Sequence, residues 1–541
     1  MTDAVVVGAG HNGLVAANLL ADAGWDVVVL EAQPEPGGAV RSGELTLPGW
    51  TNDLFSAFYP LAAASPVLRD LDLGAHGLHW RRAPAVLANP TPDGRCAVLS
   101  TDLDETARSL DTYAPGDGDA WRHLYGLWER VGDRFVDALL APFPPLRHVL
   151  PLILRIGGPA AIMRFARHLA LPVRRMAEET FAGEGGGLLL AGNSLHTDLP
   201  PEAAGSGMFG WLLASLGQQV GFPVPEGGAG QLTAALVRRL ESRGGQVVCN
   251  ARVTKVEVRD GRATGVVTED GTAVTATRAV LADVVAPGLF LDLVGPAHLP
   301  PGFVDDMGRF QFDYGTVKVD WALDEPIPWS AEAVAAAGTV HLADSLDHLT
   351  MYTAELATRR IPSDPFLIVG QMTTTDPSRS PAGTETAWAY THVPQDVRGD
   401  AGGDGLKGTW DDDETDRFAD RIEARIERYA PGFRGLIGAR HVFTPRTLSE
   451  ANESLVGGAV NGGTAQLHQQ LVFRPAPGLA RPETPVPGLY LASASAHPGG
   501  GVHGAPGANA ARAALAADRL RRILGAPRAA LERGRAIELR R

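Results

Sequence analysis

Two hydrophobic runs near the start of the chain enclose a glycine-rich turn and a stretch with a helical pattern. Residues 4–7 (AVVV) and 27–30 (VVVL) are uninterrupted aliphatic runs, which are typical of buried strands. The apolar residues between positions 14 and 23 predict a helix. The pattern therefore predicts a strand–helix–strand unit in the first 31 residues.

The turn inside this unit has the sequence GAGHNG, residues 8–13. There Gly8 permits a tight bend, Gly10 lets backbone N–H groups approach a pyrophosphate, and Gly13 lets the helix pack on the strand. Glu31 follows the second run and is placed to accept hydrogen bonds from a ribose diol. The unit predicts a dinucleotide site, although FAD and nicotinamide cofactors both use it. The residues expected to contact the dinucleotide are Gly8, Ala9, Gly10, His11, Asn12, Gly13, Glu31 and Ala32.

Strand and helix patterns return in the middle and at the end of the chain. Residues 233–243 predict a helix, and residues 247–258 and 263–268 predict a strand pair with a type I′ turn at Asp260-Gly261. A further strand, residues 487–492, leads into a glycine-rich loop and then a helix from about residue 509 to residue 524. Such a loop presents free N–H groups and the positive end of the helix dipole to a ligand.

Three segments carry a family resemblance. Residues 37–42 (GGAVRS) resemble the glycine-pair motif that follows the strand–helix–strand unit in FAD-binding oxidases and desaturases. Residues 493–505 (SASAHPGGGVHGA) are similar to the last FAD segment of bacterial phytoene desaturases, and residues 225–232 (PEGGAGQL) match their middle segment. The chain is therefore identified as a member of the phytoene-desaturase-like FAD-dependent oxidoreductases, of carotenoid desaturase/isomerase type.

The resemblance implies an α/β fold of amine oxidase/phytoene desaturase type. A Rossmann-like FAD-binding domain would carry an inserted α+β substrate domain. Because the FAD segments lie far apart in the chain, the FAD-binding domain is expected to be discontinuous, with residues 1–60, 221–290 and 485–541. Residues 61–220 and 291–484 would form the substrate-binding or cap domain.

The two insertions show different patterns. The first is expected to be mainly helical, with one helix over residues 117–140. The second begins with strands at residues 316–323 and 365–373. Residues 411–429 predict a helix whose acidic start is an N-terminal cap rather than a metal site.

The resemblance also extends the expected FAD contacts. In the family an arginine usually follows the glycine pair, whereas here Ala39 does, and Arg41 is the nearest cation. Ala494 stands where the family often has an acidic residue, which removes one expected contact to the ribityl or phosphate region. The additional expected FAD contacts are Gly37, Gly38, Arg41, Ser42, Val253, Ala282, Ser493, Gly500, Gly501, Val502 and Gly504.

Two histidines flank the C-terminal glycine loop. His497 and His503 are candidate catalytic proton acceptors because histidine titrates near neutral pH. Hydrogen bonds that stabilise the loop are the alternative role for both residues. His196 is a further candidate on the substrate side.

Charge and cysteine content exclude several other functions. The net charge of −14 argues against nucleic-acid binding, which requires a basic face. Cys96 and Cys249 do not belong to a CxxC pair, so a redox-active dithiol is not expected. Two separate cysteines cannot supply the ligands of a zinc or an iron–sulfur site, so no metal site is predicted.

The chain has no run of about 18 uncharged apolar residues and no secretory signal pattern. We expect a cytoplasmic protein, soluble or peripherally attached to a membrane. Residues 135–175 mix leucines with arginines, which suits contact with anionic lipid. The alternative is a helix pair that covers the substrate cavity. Residues 528–541 are expected to form a solvated basic tail.

The resemblance implies an FAD-dependent oxidoreductase that desaturates or saturates a lipophilic polyene or isoprenoid-like substrate by hydride transfer with the flavin. The glycines at 227–230 do not follow a convincing strand, so dioxygen or a quinone is expected as the electron acceptor rather than a bound nicotinamide. A redox-neutral flavin-dependent isomerase, an oxidase of amines or natural products, and an FAD-bound scaffold or interaction protein are the alternatives.

Overall fold

The computed structural model describes the backbone of residues 2–538 and the side chains of residues 2–523. The side chains of the predicted basic tail, residues 528–541, lie outside the described residues. The strands are β1 Thr2–Val7, β2 Val27–Leu30, β3 Ser42–Gly43, β4 Asn52–Asp53, β5 Trp80–Arg81, β6 Ala85–Pro90, β7 Cys96–Leu99, β8 Val224–Pro225, β9 Gln246–Val248, β10 Val253–Arg259, β11 Arg262–Thr268, β12 Ala273–Ala282, β13 Gly315–Leu323, β14 Ala337–Leu342, β15 Arg360–Ile361, β16 Leu367–Gln371, β17 Glu385–Val393, β18 Gly399–Asp400, β19 Ile437–Phe443 and β20 Leu489–Leu491. The α-helices are α1 His11–Asp22, α2 Pro60–Ala64, α3 Pro66–Asp70, α4 Leu103–Asp111, α5 Asp117–Leu140, α6 Leu146–Ile156, α7 Pro159–Ala170, α8 Val173–Thr180, α9 Glu184–Ser194, α10 Ser206–Val220, α11 Gly230–Ser242, α12 Pro301–Gly308, α13 Leu346–Ala357, α14 Met372–Thr375, α15 Asp412–Glu427, α16 Pro445–Ala451 and α17 Ala505–Glu538.

A parallel sheet in the order β9–β2–β1–β12–β20 is assembled from the beginning, the middle and the end of the chain. Helices α1, α11 and α17 pack on one face of this sheet, around an aliphatic core. The antiparallel strands β10 and β11 continue from β12 and pack on the other face with residues 286–307. The predicted α/β fold with a Rossmann-like unit is confirmed.

Three boundaries in this sheet differ from the prediction. Helices α1 and α17 begin directly after their glycine turns, at His11 and Ala505, several residues earlier than their apolar patterns suggest. Residue 247 lies in β9, which pairs with β2, so the predicted hairpin begins only at Val253. Its turn at Asp260 and Gly261 has positive φ at both residues, as a type I′ turn requires.

A second, seven-stranded sheet has the order β19–β13–β17–β16–β14–β6–β7. Its strands come from both inserted segments, since β6 pairs in parallel with β14. The expectation of a mainly helical first insertion missed β6 and β7, because β6 (AVLANP) is buried along its whole length and shows no alternation of polar and apolar residues. Helix α15 covers one face of the sheet, and α5, α9 and α10 cover the other.

The predicted helices of the insertions are confirmed. Helix α5 spans Asp117–Leu140, and α15 spans Asp412–Glu427. The side chain of Asp411 caps α15 by accepting a hydrogen bond of 2.9 Å from the Glu414 N–H. Among the described residues, no single helix is long and apolar enough to cross a membrane. Helices α6 and α7 pass that test only as a pair, by length and composition, and the pair is bent by 112°.

Candidate active site

The first glycine turn is closely packed. Gly8 has a φ of +90°, and a Cβ on Gly13 would lie 2.2 Å from the Gly8 carbonyl oxygen. Helix α1 can therefore begin directly against β1, which directs its first backbone N–H groups towards the cavity that Gly10, His11 and Asn12 line.

Glu31 is buried beside this turn. One carboxylate oxygen accepts a hydrogen bond of 2.7 Å from the Ala9 N–H, and the other accepts one of 2.9 Å from the Gln33 N–H. Each oxygen has a second lone pair, and Glu31 lines the cavity. The carboxylate therefore joins the turn to the end of β2 and keeps acceptor capacity for a diol.

The glycine pair lies on the first turn. The Gly37 N–H donates to the Ala9 carbonyl oxygen at 2.8 Å, and a Cβ on Gly38 would lie 3.1 Å from the Gly10 Cα. The Arg41 guanidinium donates to the carbonyl oxygens of Gly38 and Ala451 and also lines the cavity. Gly38 and Arg41 thus extend the wall that begins at the first turn.

The C-terminal loop is held from behind by a fully buried arginine. Arg474 donates to the carbonyl oxygens of Ala494 at 2.7 Å, Thr464 at 2.9 Å and Asn461 at 3.1 Å. Sequence reasoning missed this residue, since a single arginine in an irregular segment gives no pattern.

Both candidate catalytic histidines make hydrogen bonds that stabilise the loop. His497 Nε2 donates to the Ala141 carbonyl oxygen at 3.0 Å, and His503 Nδ1 accepts from the Ala505 N–H at 3.1 Å. Burial lowers the pKa of His497 to about 4 and that of His503 to about 3. Both rings are therefore neutral at pH 7. Each lines the cavity, and a catalytic role for either residue stays a prediction.

The two glycine turns and the C-terminal loop open onto one cavity of about 1340 Å³. Most of the predicted FAD contacts line it. They are Gly8, Gly10, His11, Asn12, Glu31, Ala32, Gly38, Arg41, Val253, Ser493, Gly500, Gly501 and Val502.

The other predicted contacts, Ala9, Gly13, Gly37, Ser42, Ala282 and Gly504, do not line the cavity, and their contact with the cofactor stays a prediction. The Gly37 N–H donates to the Ala9 carbonyl oxygen, and the Ser42 hydroxyl donates to Asp53 at 2.8 Å. Gly13 packs on the first turn, the Ala282 carbonyl oxygen accepts from the Ala492 N–H, and Gly504 packs on helix α1.

Away from the glycine turns the same cavity has two unlike walls. One is helical and apolar, with Leu139, Leu152, Leu169, Met208, Leu212 and Leu213. The other is the seven-stranded sheet, which contributes Thr316, Lys318, Thr339, Trp388 and Tyr390. Sequence reasoning missed this second wall, although a lysine within the strand predicted at residues 316–323 was a usable signal.

A carboxyl group lies directly under the first turn. Asp283, after β12, accepts a hydrogen bond of 2.8 Å from the Gly13 N–H. Burial raises the pKa of Asp283 to about 7. Within residues 2–523, no three His, Cys, Asp or Glu side chains form a group that could hold a metal ion.

Comparison with known proteins agrees with this geometry. Residues 6–84 match the NAD(P)-binding Rossmann-like domain, and residues 154–392 match the flavin containing amine oxidoreductase family. Over 94% of its length the chain is 30% identical to pyridine nucleotide-disulfide oxidoreductase domain-containing protein 2 of Mus musculus, and the match covers 92% of that protein. The chain belongs to the phytoene-desaturase-like FAD-dependent oxidoreductases.

Other members and fold neighbours are more distant. The chain is 26% identical to phytoene desaturase (lycopene-forming) of Paracoccus sp. (strain N81106 / MBIC 01143). That match covers 94% of this chain and 96% of the desaturase. Putrescine oxidase, solved with putrescine, superposes with a TM-score of 0.59 at 17% identity over 96% of this chain and 99% of its own. That likeness concerns the fold alone.

The residues present fit the FAD that this oxidoreductase family uses. The helix N-terminus of α1 and the close approach of Gly38 to Gly10 would hold the pyrophosphate, and the acceptor capacity of Glu31 would hold the ribose. These residues are the cofactor cradle. Gly500 and Gly501 supply backbone on the opposite side, ahead of α17.

Proposed function

We propose that this flavoprotein desaturates or saturates a lipophilic substrate of polyene or isoprenoid-like type. The observation that supports the proposal is the apolar helical wall, which continues the cavity beyond the cofactor cradle without a break. Burial of apolar substrate surface there contributes about 25 cal/mol per Å². A long unsaturated chain is the ligand that such a wall would bind.

Different residues of the cavity have different roles in the proposed reaction. When bound, FAD supplies two-electron chemistry at a carbon–hydrogen bond. Met208, Leu212 and Leu213 exclude water and orient the substrate. Arg474 fixes the loop carrying Ser493 and Gly500, so the wall next to the cofactor is positioned before the substrate arrives. Dioxygen or a quinone is the proposed electron acceptor.

An anaerobic titration tests this function. The purified protein with FAD is mixed with polyenes, lipophilic alkenes and amines, and the visible flavin band is followed. Bleaching by an apolar class supports the proposal, and subsequent admission of dioxygen or a quinone identifies the acceptor. Bleaching by amines alone would establish an amine oxidase instead. Turnover that requires pre-reduced flavin but consumes no electrons would establish an isomerase.

A matched pair of variants locates the substrate. Met208 lines the apolar wall, whereas Met351 is 63% exposed on α13, outside the cavity. We expect Met208→Trp to slow substrate-dependent bleaching at least tenfold, about 1.4 kcal/mol, with unchanged FAD content, because the larger ring fills the apolar limb. Met351→Trp should leave the rate unchanged. Equal rates in both variants would contradict the assignment of the apolar wall to the substrate.

We further propose that helices α6 and α7 contact a lipid surface from which the substrate enters. Leu146, Leu150 and Leu154 lie one helical turn apart on α6 and are 74%, 62% and 74% exposed. Val149 and Leu152 of the same helix line the cavity. The helix therefore has one apolar side towards the substrate and another towards solvent.

The charge around these helices favours anionic lipid as the partner. Residues 138–177 contain six arginines and no acidic residue, in a chain with a net charge of −14. Arg147, Arg155 and Arg164 form no ion pair within residues 2–523, unlike Arg167, which pairs with Glu179. Free cations beside exposed leucines are the pattern of an interfacial helix.

A further inference from the structure

The polar wall of the cavity is built by strand register. On β13, Thr316 and Lys318 are two residues apart and share a face. In the antiparallel pairing of β13 with β17, Lys318 lies opposite Tyr390, and Asp320 lies opposite Trp388. The same face of this one sheet thus brings an ammonium group, a phenol and an indole together at the cavity.

Lys318 has unused hydrogen-bonding capacity. Its side chain is only 5% exposed, and within residues 2–523 its ammonium group donates to a single partner, the carboxylate of Asp320. The ammonium also lies 5.9 Å from the centre of the Trp388 ring. An ammonium group has three donors, so two remain for a cavity ligand.

The same wall offers further donors, one on the neighbouring strand β17 and one on β14, three strands away from Lys318. The hydroxyl of Thr339 is buried without a hydrogen-bond partner among the described residues. The Tyr390 ring is stacked on Trp388, at 6.0 Å between centroids, and its hydroxyl has no partner within residues 2–523. Burial raises the pKa of Tyr390, so its hydroxyl stays protonated and able to donate.

This wall lies next to the cofactor cradle. The Ser56 hydroxyl donates to the Ala39 carbonyl oxygen at 2.6 Å, directly after the glycine pair. Two residues later, the Phe58 ring packs on the Trp388 ring with centroids 6.0 Å apart. Residues 55–59 therefore connect the cofactor cradle to the polar wall over a short stretch of chain.

From these contacts we infer that the substrate carries a carbonyl or carboxylate oxygen, which Lys318 and Tyr390 bind while the rest of the molecule lies against the apolar wall. The inference rests on the proposed function and narrows its substrate class. A purely hydrocarbon ligand would leave the ammonium and phenol donors unpaired. A protonated amine offers no acceptor for these donors.

Three probes of equal chain length test this inference. Oleic acid, oleyl aldehyde and 1-octadecene are titrated into the FAD-bound protein at fixed detergent concentration, and the shift of the oxidised flavin band is recorded. We expect the acid or the aldehyde to bind at least tenfold more tightly than the hydrocarbon. Equal binding of all three would overturn the oxygen site while leaving the lipophilic cavity in place. Failure of all three to bind would overturn the proposed function as well.

Variants of the polar wall then test whether this wall causes the difference in affinity between the probes. Because Lys318→Met alone leaves the carboxylate of Asp320 buried and unpaired, the test uses Lys318→Met with Asp320→Asn. Tyr390→Phe is a second variant with minimal change of shape. Each should reduce the preference for the oxygen-bearing probe at least threefold and leave the affinity for 1-octadecene unchanged. An unchanged preference in both variants would overturn the inference.

Discussion

Two buried carboxyl groups make hydrogen bonds to the backbone of the first glycine turn. Asp283 accepts a hydrogen bond from the Gly13 N–H, and Glu31 accepts one from the Ala9 N–H, so two carboxyl groups hold the turn. We expect the turn to face the pyrophosphate of the cofactor. Because Asp283 is buried and lies near the charge of Glu31, its ionised form is disfavoured in the folded protein.

Asp283 therefore makes stability depend on pH. Its pKa rises from 3.8 in the unfolded chain to about 7 in the folded protein, so its ionisation destabilises the fold as pH rises through this range. Asp283→Asn lacks this penalty. We expect the free energy of unfolding of the variant, relative to the parent, to increase by about 3–4 kcal/mol between pH 4 and pH 8, because one pKa unit corresponds to about 1.4 kcal/mol. Urea unfolding at both pH values measures it, with the exposed Asp305→Asn as the control. A constant difference would show that Asp283 does not titrate in this range.

The predictability of the site also differs from residue to residue. Gly8, Gly10 and Glu31 follow a spacing that physical chemistry imposes on any dinucleotide turn, so the sequence indicates them directly. Asp283, Lys318 and Arg474 are isolated polar residues whose partners lie far away in the chain. Their roles arise only when the strands pair and the loops close, as with Arg474 and Ala494.

At the scale of elements, the site depends on the contact between helices α1 and α17. Gly507, in the first turn of α17, lies so close to α1 that a Cβ there would be 1.9 Å from the carbonyl oxygen of Asn12. Asn12 itself lines the cofactor end of the cavity. The last helix thus sets the position of the first helix N-terminus.

Gly507→Ala should separate these two helices. The clash with backbone leaves no room for a side-chain adjustment, so we expect a loss of about 1–3 kcal/mol in stability and at least a tenfold loss in FAD affinity. Gly126 is the matched control, because it lies within α5 with no atom within 4 Å of an added Cβ. Gly126→Ala should raise stability by about 0.5–1 kcal/mol. Thermal melting and FAD fluorescence titration measure both variants, and normal FAD affinity in Gly507→Ala would contradict the role of this contact.

Elements with a strong hydrophobic pattern along the chain were predictable, and elements whose bounds depend on tertiary contacts were not. Helix α5 and strand β2 match their expected bounds because their patterns are local. Strand β6 was missed, since burial on both faces removes the alternation that marks a strand. Helix α17 begins earlier than its pattern because packing on α1 fixes its first turn.

At the scale of the whole molecule, the exposed face of α6 and α7 predicts binding to vesicles. We expect the protein to co-sediment with vesicles of phosphatidylglycerol and phosphatidylcholine at low salt. It should dissociate from them as added salt screens the charges of the arginines. Leu150→Glu with Leu154→Glu should reduce the bound fraction at least fivefold, because two apolar contacts are lost and two repulsive charges are added.

The matched control changes an exposed residue on another surface. Ile523, on α17, is 67% exposed, and Ile523→Glu should bind vesicles as the parent does. No binding to anionic vesicles at low salt would overturn the lipid proposal. A change of oligomeric state in the Leu150 and Leu154 variant would instead assign this face to a second copy of the chain.

The parallel sheet that carries the cofactor cradle also dictates when the protein can mature. Its strand β20 and the helix that follows come more than 450 residues after β2 in the chain, and the C-terminal loop between them forms part of the cradle. At ribosomal rates of about 5–20 residues per second, β20 is synthesised roughly 25–100 s after the first strand. During that interval the nascent chain has its dinucleotide turn but no closed pocket. We therefore expect capture of the cofactor to follow translation of the loop after β20.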